Sequence, residues 1–399
     1  MHVLDFKTKQ TLKRFAEECT SCGLCFEECD VLTKLNLSPA TIAQILSSRK
    51  KYSANLVAAV QRCSLCGLCS HKCPLGLAPD ELMLAARQML ADGGSVDGDD
   101  YRLLHVDQEH HLFSLYRTTW QIDYQKFHLS RSPILFFPGC TLASYSPRLT
   151  RTAFYWLQQQ GMNVGLSEDC CGLPLECIGL SERHRQHLQR LNAEFTNAGV
   201  KQIVTACPNC YYHLQGKFPG MEVTSLYQLL ADAGIKIAPR DGTVTVHDSC
   251  PDRHSGEIGR SMRTLLDGNA LVEMPHNRES TICCGAGGIV SIADPELTNQ
   301  RAATRLEEAR QSEATYCASA CMGCVKRLES AQPKLPASTV DSRQTGFVQL
   351  QIVHILELVF NLRLNHKEVQ QRLEQMWQGD LGERNMQLLS EDQENQTVA

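Results

Sequence analysis

At 399 residues with 43% of them apolar and a formal net charge of −5, the chain has room for two or three domains with ordinary cores. The absence of long basic runs excludes the electrostatic footprint of a nucleic-acid binder, and the longest apolar stretch, Ile352 to Phe360, is interrupted by His354 and Glu357, so no part is expected to span a bilayer. Met1 to Lys7 lacks the basic-then-apolar layout of a secretory signal, which assigns the twenty cysteines to a reducing cytosol, where clustered thiols hold metal or do redox work more readily than they form disulfides.

The first informative run is Cys19-Thr20-Ser21-Cys22-Gly23-Leu24-Cys25-Phe26-Glu27-Glu28-Cys29, and it returns as Cys63-Ser64-Leu65-Cys66-Gly67-Leu68-Cys69-Ser70-His71-Lys72-Cys73-Pro74. Both follow the C-x2-C-x2-C-x3-C spacing of two-cluster ferredoxins, in which three cysteines of a run hold one cubane [4Fe–4S] cluster and the fourth crosses to the other. The expected sets are therefore Cys19, Cys22, Cys25 and Cys73 for one cubane, and Cys63, Cys66, Cys69 and Cys29 for its neighbour. The first run ends in Asp30 instead of proline, which loosens the turn and removes no ligand. Zinc knuckles are the alternative, but zinc prefers two separated pairs of ligands to four cysteines in one short run.

Between the runs, Ser38-Pro39 caps a helix with Ile42, Ile45 and Leu46 on one face. Pro79-Asp80 opens a second helix that stops at Gly93-Gly94. Interposed helices imply an α-helical two-cluster ferredoxin domain over residues 1–100. Residues 101–132, with His105, His110 and His111, follow no ligand spacing and read as a solvated linker face.

From Pro133 the rhythm becomes β and α in alternation. Ile134 to Phe137 is a buried strand, Ser146-Pro147 caps a helix to Gly161, and Met162 to Leu166 is a second strand. Ser181 begins a helix to Gly199, and Ile203 to Ala206 is a third strand. Met221 to Thr224 and Leu226 to Leu230 add a strand and a helix. The order then repeats through Thr243 to His247, Ala270 to Met274, a helix capped by Asp294-Pro295, Ala314 to Tyr316, and a closing helix over Gln351 to Leu362. Such a series implies parallel sheets with crossover helices. The expected units are residues 133–240 and 241–362, followed over 363–399 by a helix from about His366 to Trp377 and a polar, frayed tail from Leu381.

Each unit carries five cysteines beyond strand ends, where open α/β sheets place ligands. They are Cys140, Cys170-Cys171 and Cys207-x2-Cys210, then Cys250, Cys283-Cys284 and Cys321-x2-Cys324. The intervening lengths are 29 and 35 residues in the first set and 32 and 36 in the second. Five thiolates exceed what a cubane or a zinc ion needs, and adjacent cysteines can bind different irons of one enlarged cluster. Cys177 and Cys317 lie outside the pattern and read as core. His247 and Asp248 precede a ligand, and His254 follows one; His247 and His254 are the candidates for moving a proton or tuning a cluster.

Phe137-Pro138-Gly139-Cys140, Cys170-Cys171-Gly172-Leu173-Pro174, His247-Asp248-Ser249-Cys250 and Cys283-Cys284-Gly285-Ala286-Gly287-Gly288 resemble the CCG domain of the heterodisulfide reductase superfamily. A two-cluster ferredoxin region before two such domains is similar to the D subunit of heterodisulfide reductase. It also resembles the iron–sulfur subunits of glycolate oxidase and anaerobic glycerol-3-phosphate dehydrogenase. The resemblance implies up to two noncubane [4Fe–4S] clusters, on Cys140, Cys170, Cys171, Cys207 and Cys210 and on Cys250, Cys283, Cys284, Cys321 and Cys324. The short first interval departs from the family pattern.

The expected function is that of an electron-transfer subunit of a heterodisulfide-reductase-like oxidoreductase, passing electrons between ferredoxin-type cubanes and CCG-domain noncubane clusters, where the resemblance implies reduction of a disulfide. The alternative is a relay from a flavoprotein dehydrogenase toward quinone or a membrane cytochrome. No flavin fingerprint occurs, because Gly285-Ala286-Gly287-Gly288 lacks dinucleotide-loop spacing. Any flavin would belong to a partner, and a cytoplasmic chain would reach the inner membrane face only through one.

Overall fold

The computed structural model describes residues 6–48, 51–128, 131–332 and 350–397, with side chains up to residue 391. Met1 to Asp5, most of the stretch that bears on targeting, lies outside them. Helices dominate the N-terminal region, at Phe6–Glu18, Asp30–Leu35, Pro39–Ser48, Ala54–Arg62, Leu68–His71 and Pro79–Asp92. Leu12, Phe15, Ile42, Leu46, Leu56, Val60, Leu82 and Leu90 close one apolar core among them. Ser53 caps its helix by accepting from the Leu56 N–H, and proline starts Pro79–Asp92 where its missing N–H costs nothing.

Two parallel sheets follow. Strands β1 (Ile134–Phe137), β2 (Val164–Leu166), β3 (Gln202–Thr205) and β4 (Glu222–Ser225) run in the order β2-β1-β3-β4. Strands β5 (Val244–Val246), β6 (Tyr316–Ser319) and β7 (Gln351–His354) run in the order β5-β6-β7. Leu135 and Phe136 face Gly165 and Leu166 on one side and Ile203 and Val204 on the other. These central strands are continuous apolar runs because both faces are covered. The two sheets share one apolar core, in which Phe136, Ile203, Leu214 and Tyr227 join Val246, Ala320, Met322 and Ile355.

Four expectations need correction. Gln351 to Leu362 is not one helix: its β-branched start pairs with β6 as β7, and only Ile355–Val359 is helical. The His354 ring accepts from the Leu356 N–H and the Glu357 carboxylate accepts from the His354 N–H, a cap that fixes the change from strand to helix. Ala270 to Met274 contributes a single bridge, Leu271 to Val244, because Glu273 turns to Arg263 and Arg278 and Pro275 ends the extension. The 101–132 segment is no solvated face: His105 and His111 are buried with Tyr101, Phe113, Tyr116, Tyr124 and Phe127. The tail from Leu381 lies within a helix, Gly379–Thr397, that buries Asn385 and Leu389. The apolar partners of these polar-looking stretches are distant in sequence.

Candidate iron–sulfur sites

The first cysteine of each ferredoxin-type run is delivered by a helix end, Cys19 after Phe6–Glu18 and Cys63 after Ala54–Arg62. Cys19, Cys22, Cys25 and Cys73 line one cavity with Phe15 and Leu77. Cys29 joins the other run: burial pushes the Cys63 thiol up to about 11, with Cys29 adding repulsion, and burial with Cys63, Cys66 and Cys29 nearby drives Cys69 well up. Cys29 also lies beside Cys25 of its own run, so the two ferredoxin-type runs sit against one another.

The ten remaining motif cysteines form two strings of neighbouring thiols. One runs Cys140, Cys170, Cys171, Cys210, Cys207, and the other runs Cys250, Cys283, Cys284, Cys324, Cys321. Within the second, Cys284 Sγ and Cys324 Sγ are 3.0 Å apart. None of these thiols is in a disulfide. At Gly139 (φ 88°), a Cβ would sit 2.6 Å from the Cys207 Cβ and 3.4 Å from the Sγ of Cys207 and Cys210, so only glycine lets the turn before Cys140 close over this string.

His247 is wholly buried, and burial, with Arg305 beside it, pulls its imidazole down to about 3. Arg305 Nε donates to its Nδ1 at 2.9 Å, so the ring proton resides on Nε2, which has no partner. A ring nitrogen of His247 lies within 4.8 Å of the sulfurs of Cys284 and Cys324. An orphaned buried N–H beside gathered thiols fits a sulfur-rich anionic group, whose sulfides accept such bonds. His254 instead is exposed, its Nε2 3.7 Å from where a Gly67 Cβ would be, over the second ferredoxin-type loop. Cys177 and Cys317 are buried, as expected.

Three features have no signature in local spacing. The Tyr227 hydroxyl lies 2.6 Å from the carbonyl of Ala206 and 2.9 Å from that of Ala320, the residues just before Cys207 and Cys321. His354 Nε2 supports it from 3.4 Å and donates to the Ala320 carbonyl at 3.1 Å. One buried phenol therefore joins the strand ends that carry the two thiol strings. Beside the first string, Glu176, His213 and His184 form a chain, His213 Nδ1 lying 3.5 Å from the carboxylate and its Nε2 3.0 Å from His184 Nε2. Finally, the loop after Cys284 abuts the second ferredoxin-type run: a Cβ on Gly287 would lie 2.7 Å from the Ser64 carbonyl, and one on Gly288 would lie 2.9 Å from that of Cys63. Burial, with Cys283 close by, raises Cys66 to about 12.

Residues 18–78 match the 4Fe-4S dicluster domain, and residues 134–215 and 244–329 each match the CCG cysteine-rich domain. The D subunit of the dihydromethanophenazine:CoB–CoM heterodisulfide reductase of Methanosarcina barkeri is 30% identical over 53% of this chain and 56% of its own length. The EtfAB:quinone oxidoreductase of Syntrophomonas wolfei is 33% identical over 39% of this chain and 24% of its own. Among solved structures, a glutamate racemase of Bacillus anthracis aligns with 62% of this chain and 83% of its own at 14% identity, with a TM-score of 0.31, too low to carry an argument. The chain spans little more than half the length of the heterodisulfide reductase subunits it matches. No helix among the described residues is long and apolar enough to cross a membrane.

Proposed function

The chain belongs to the CCG-domain iron–sulfur proteins, carrying a 4Fe-4S dicluster domain and two CCG domains, and from that premise we propose that it is the electron-transfer subunit of a heterodisulfide-reductase-like oxidoreductase. Two cubanes would be held by Cys19, Cys22, Cys25 and Cys73 and by Cys63, Cys66, Cys69 and Cys29. Noncubane clusters would be held by the two five-thiol strings, in duplicated domains spanning 133–240 and 241–362. When bound, these clusters supply one-electron steps, and two of them facing one substrate suit the two-electron cleavage of a disulfide. The observation that carries this reading is the pair of strings with the same order of contacts, joined at their strand ends by Tyr227.

The chain's own residues bind and tune. Thiols raised by burial must lose protons when iron binds, so loading is expected to release acid. His247 is held neutral, with its proton on Nε2, which suits hydrogen bonding to a cluster sulfur better than proton delivery. The relay reading has one supporting observation, the match to an EtfAB:quinone oxidoreductase, in which a flavoprotein would donate and a quinone-reactive or cytochrome partner would accept.

The deciding experiment uses full-length protein loaded anaerobically with iron and sulfide. Prereduced protein alone is expected to convert a mixed thiol disulfide to two thiols, and Cys284→Ser is expected to abolish one noncubane spectroscopic signal while sparing the cubanes. Strict dependence on a copurifying flavoprotein, without disulfide reduction, would replace this reading with the relay. Zinc in place of iron would remove both.

A further inference from the structure

Arg87 is fully buried, and its guanidinium is spent entirely on backbone carbonyls: Val60 at 3.1 Å, Gln61 at 3.1 Å, Cys177 at 2.8 Å and Cys63. Arg253, 3% exposed, does the same with Cys66 at 3.2 Å, Thr281 at 2.5 Å and Glu279. Among the described residues neither makes an ion pair with a carboxylate. A buried cation without a counter-charge is strongly disfavoured, and carbonyl dipoles satisfy its protons without balancing its charge.

Both guanidinium groups converge on the loop that carries Cys63, Cys66 and Cys69. A third, Arg301, reaches the same loop through Ser64 Oγ at 2.5 Å and the Arg62 carbonyl at 3.2 Å, but Asp30 neutralises it at 2.7 Å. Asp80, which accepts from Ser70 Oγ, also faces the loop and offsets one positive charge. The other ferredoxin-type loop differs: Cys22 is exposed, and no described arginine hydrogen-bonds to residues Cys19 to Cys25.

We propose that Arg87 and Arg253 are the built-in counter-charges of an anionic cluster on Cys63, Cys66, Cys69 and Cys29, and that they hold its reduction potential above that of the cluster at Cys19, Cys22, Cys25 and Cys73. This rests on the cubane assignment above. Burial alone would push the potential the other way, since a dry site resists the extra negative charge of the reduced form. Buried cations reverse that sign because reduction adds the charge they lack. An electron from an external one-electron carrier, received at the exposed loop, would then move inward: the outer cluster is reoxidised, the inner one is reduced, and no atom or proton moves. The inner loop is the one that abuts Gly287 and Gly288, beside Cys283 and Cys284.

The test is an EPR-monitored redox titration of full-length, anaerobically loaded wild type, Arg253→Gln, Arg87→Gln and Arg87→Lys, with Cys22→Ser identifying the outer signal. In Arg253→Gln and Arg87→Gln the inner signal is expected to titrate lower. Poised at the wild-type inner midpoint, its reduced-to-oxidised ratio should fall about tenfold, or ~59 mV for one electron, while the outer midpoint stays put. Arg87→Lys, which keeps the charge and loses the fork, should shift less. If the Arg87 variants fail to load, Arg253→Gln decides alone. Loaded Arg253→Gln with both midpoints unmoved, or moved equally, overturns the proposal; wild type that binds no iron overturns the cubane assignment beneath it.

Discussion

Tyr227 has one hydroxyl hydrogen for two buried carbonyls, and His354 supplies the second donor because its Nδ1 is engaged by the Leu356 N–H. Tyr227→Phe keeps the ring's packing and strips the Ala206 carbonyl of this partner. Leaving a buried acceptor unsatisfied costs about 1–3 kcal/mol, so the urea midpoint of the variant should fall, with its iron content per folded molecule unchanged. A midpoint equal to wild type would mean that the phenol does not hold the strand ends. Neither Tyr227 nor Arg87 stands out when the sequence is read for spacing. Arg87 left a trace nonetheless, since it lies on the buried stripe of Pro79–Asp92 with Met83, Ala86 and Leu90, where a charge has no reason to be unless something there requires it.

Among the elements, the junction between β7 and the helix His366–Gln375 is the one with a pH signature. Glu357 accepts from the N–H groups of His354 at 2.8 Å and Leu364 at 2.9 Å and pairs with His366 at 2.9 Å. Burial pulls His366 down, but Glu357, with Glu329 nearby, outweighs it and holds the imidazole above its usual value; burial pushes Glu357 up, and His366 with the two N–H groups brings it below. The histidine's contribution is complete below its unfolded value near ~6.5 and is lost as pH rises through the raised folded value. The carboxylate's contribution is complete above its unfolded value near ~4.3 and is lost as pH falls through the lowered one. The stability gap between wild type and His366→Gln should therefore be widest at about pH 5–6 and narrow at alkaline pH, measured as urea midpoints. A gap independent of pH would mean that the pair is not ionised. This junction is also where sequence reading failed, because Gln351 to Leu362 has helical spacing and only the neighbouring Tyr316–Ser319 makes its start a strand. The cysteine runs and the central strands were legible since each is a contiguous pattern with a local physical cause.

For the whole molecule, the contact between the loop after Cys284 and the second ferredoxin-type run is where the proposed cubane and CCG sites approach each other. Gly287→Val would force a branched side chain into the Ser64 carbonyl, 2.7 Å from the site of its Cβ. We expect full iron content, intact signals from each cluster and slower electron equilibration between cubane and CCG sites, read by rapid-freeze EPR after mixing with a reductant. Unchanged kinetics would show that electrons take another route. The sequence names every thiol in this path but not which loop meets which, because that depends on packing between residues more than two hundred positions apart.

The common apolar interior of the two sheets has a practical corollary. A gene fragment ending before β5 would leave Tyr227 without Ala320 and His354, and a fragment beginning there would leave Met322 without Ser146 and the apolar cluster both halves share. Greasy seams of that kind drive precipitation, so neither half is expected to survive expression by itself, and its parts are better dissected by single-residue exchange than with scissors.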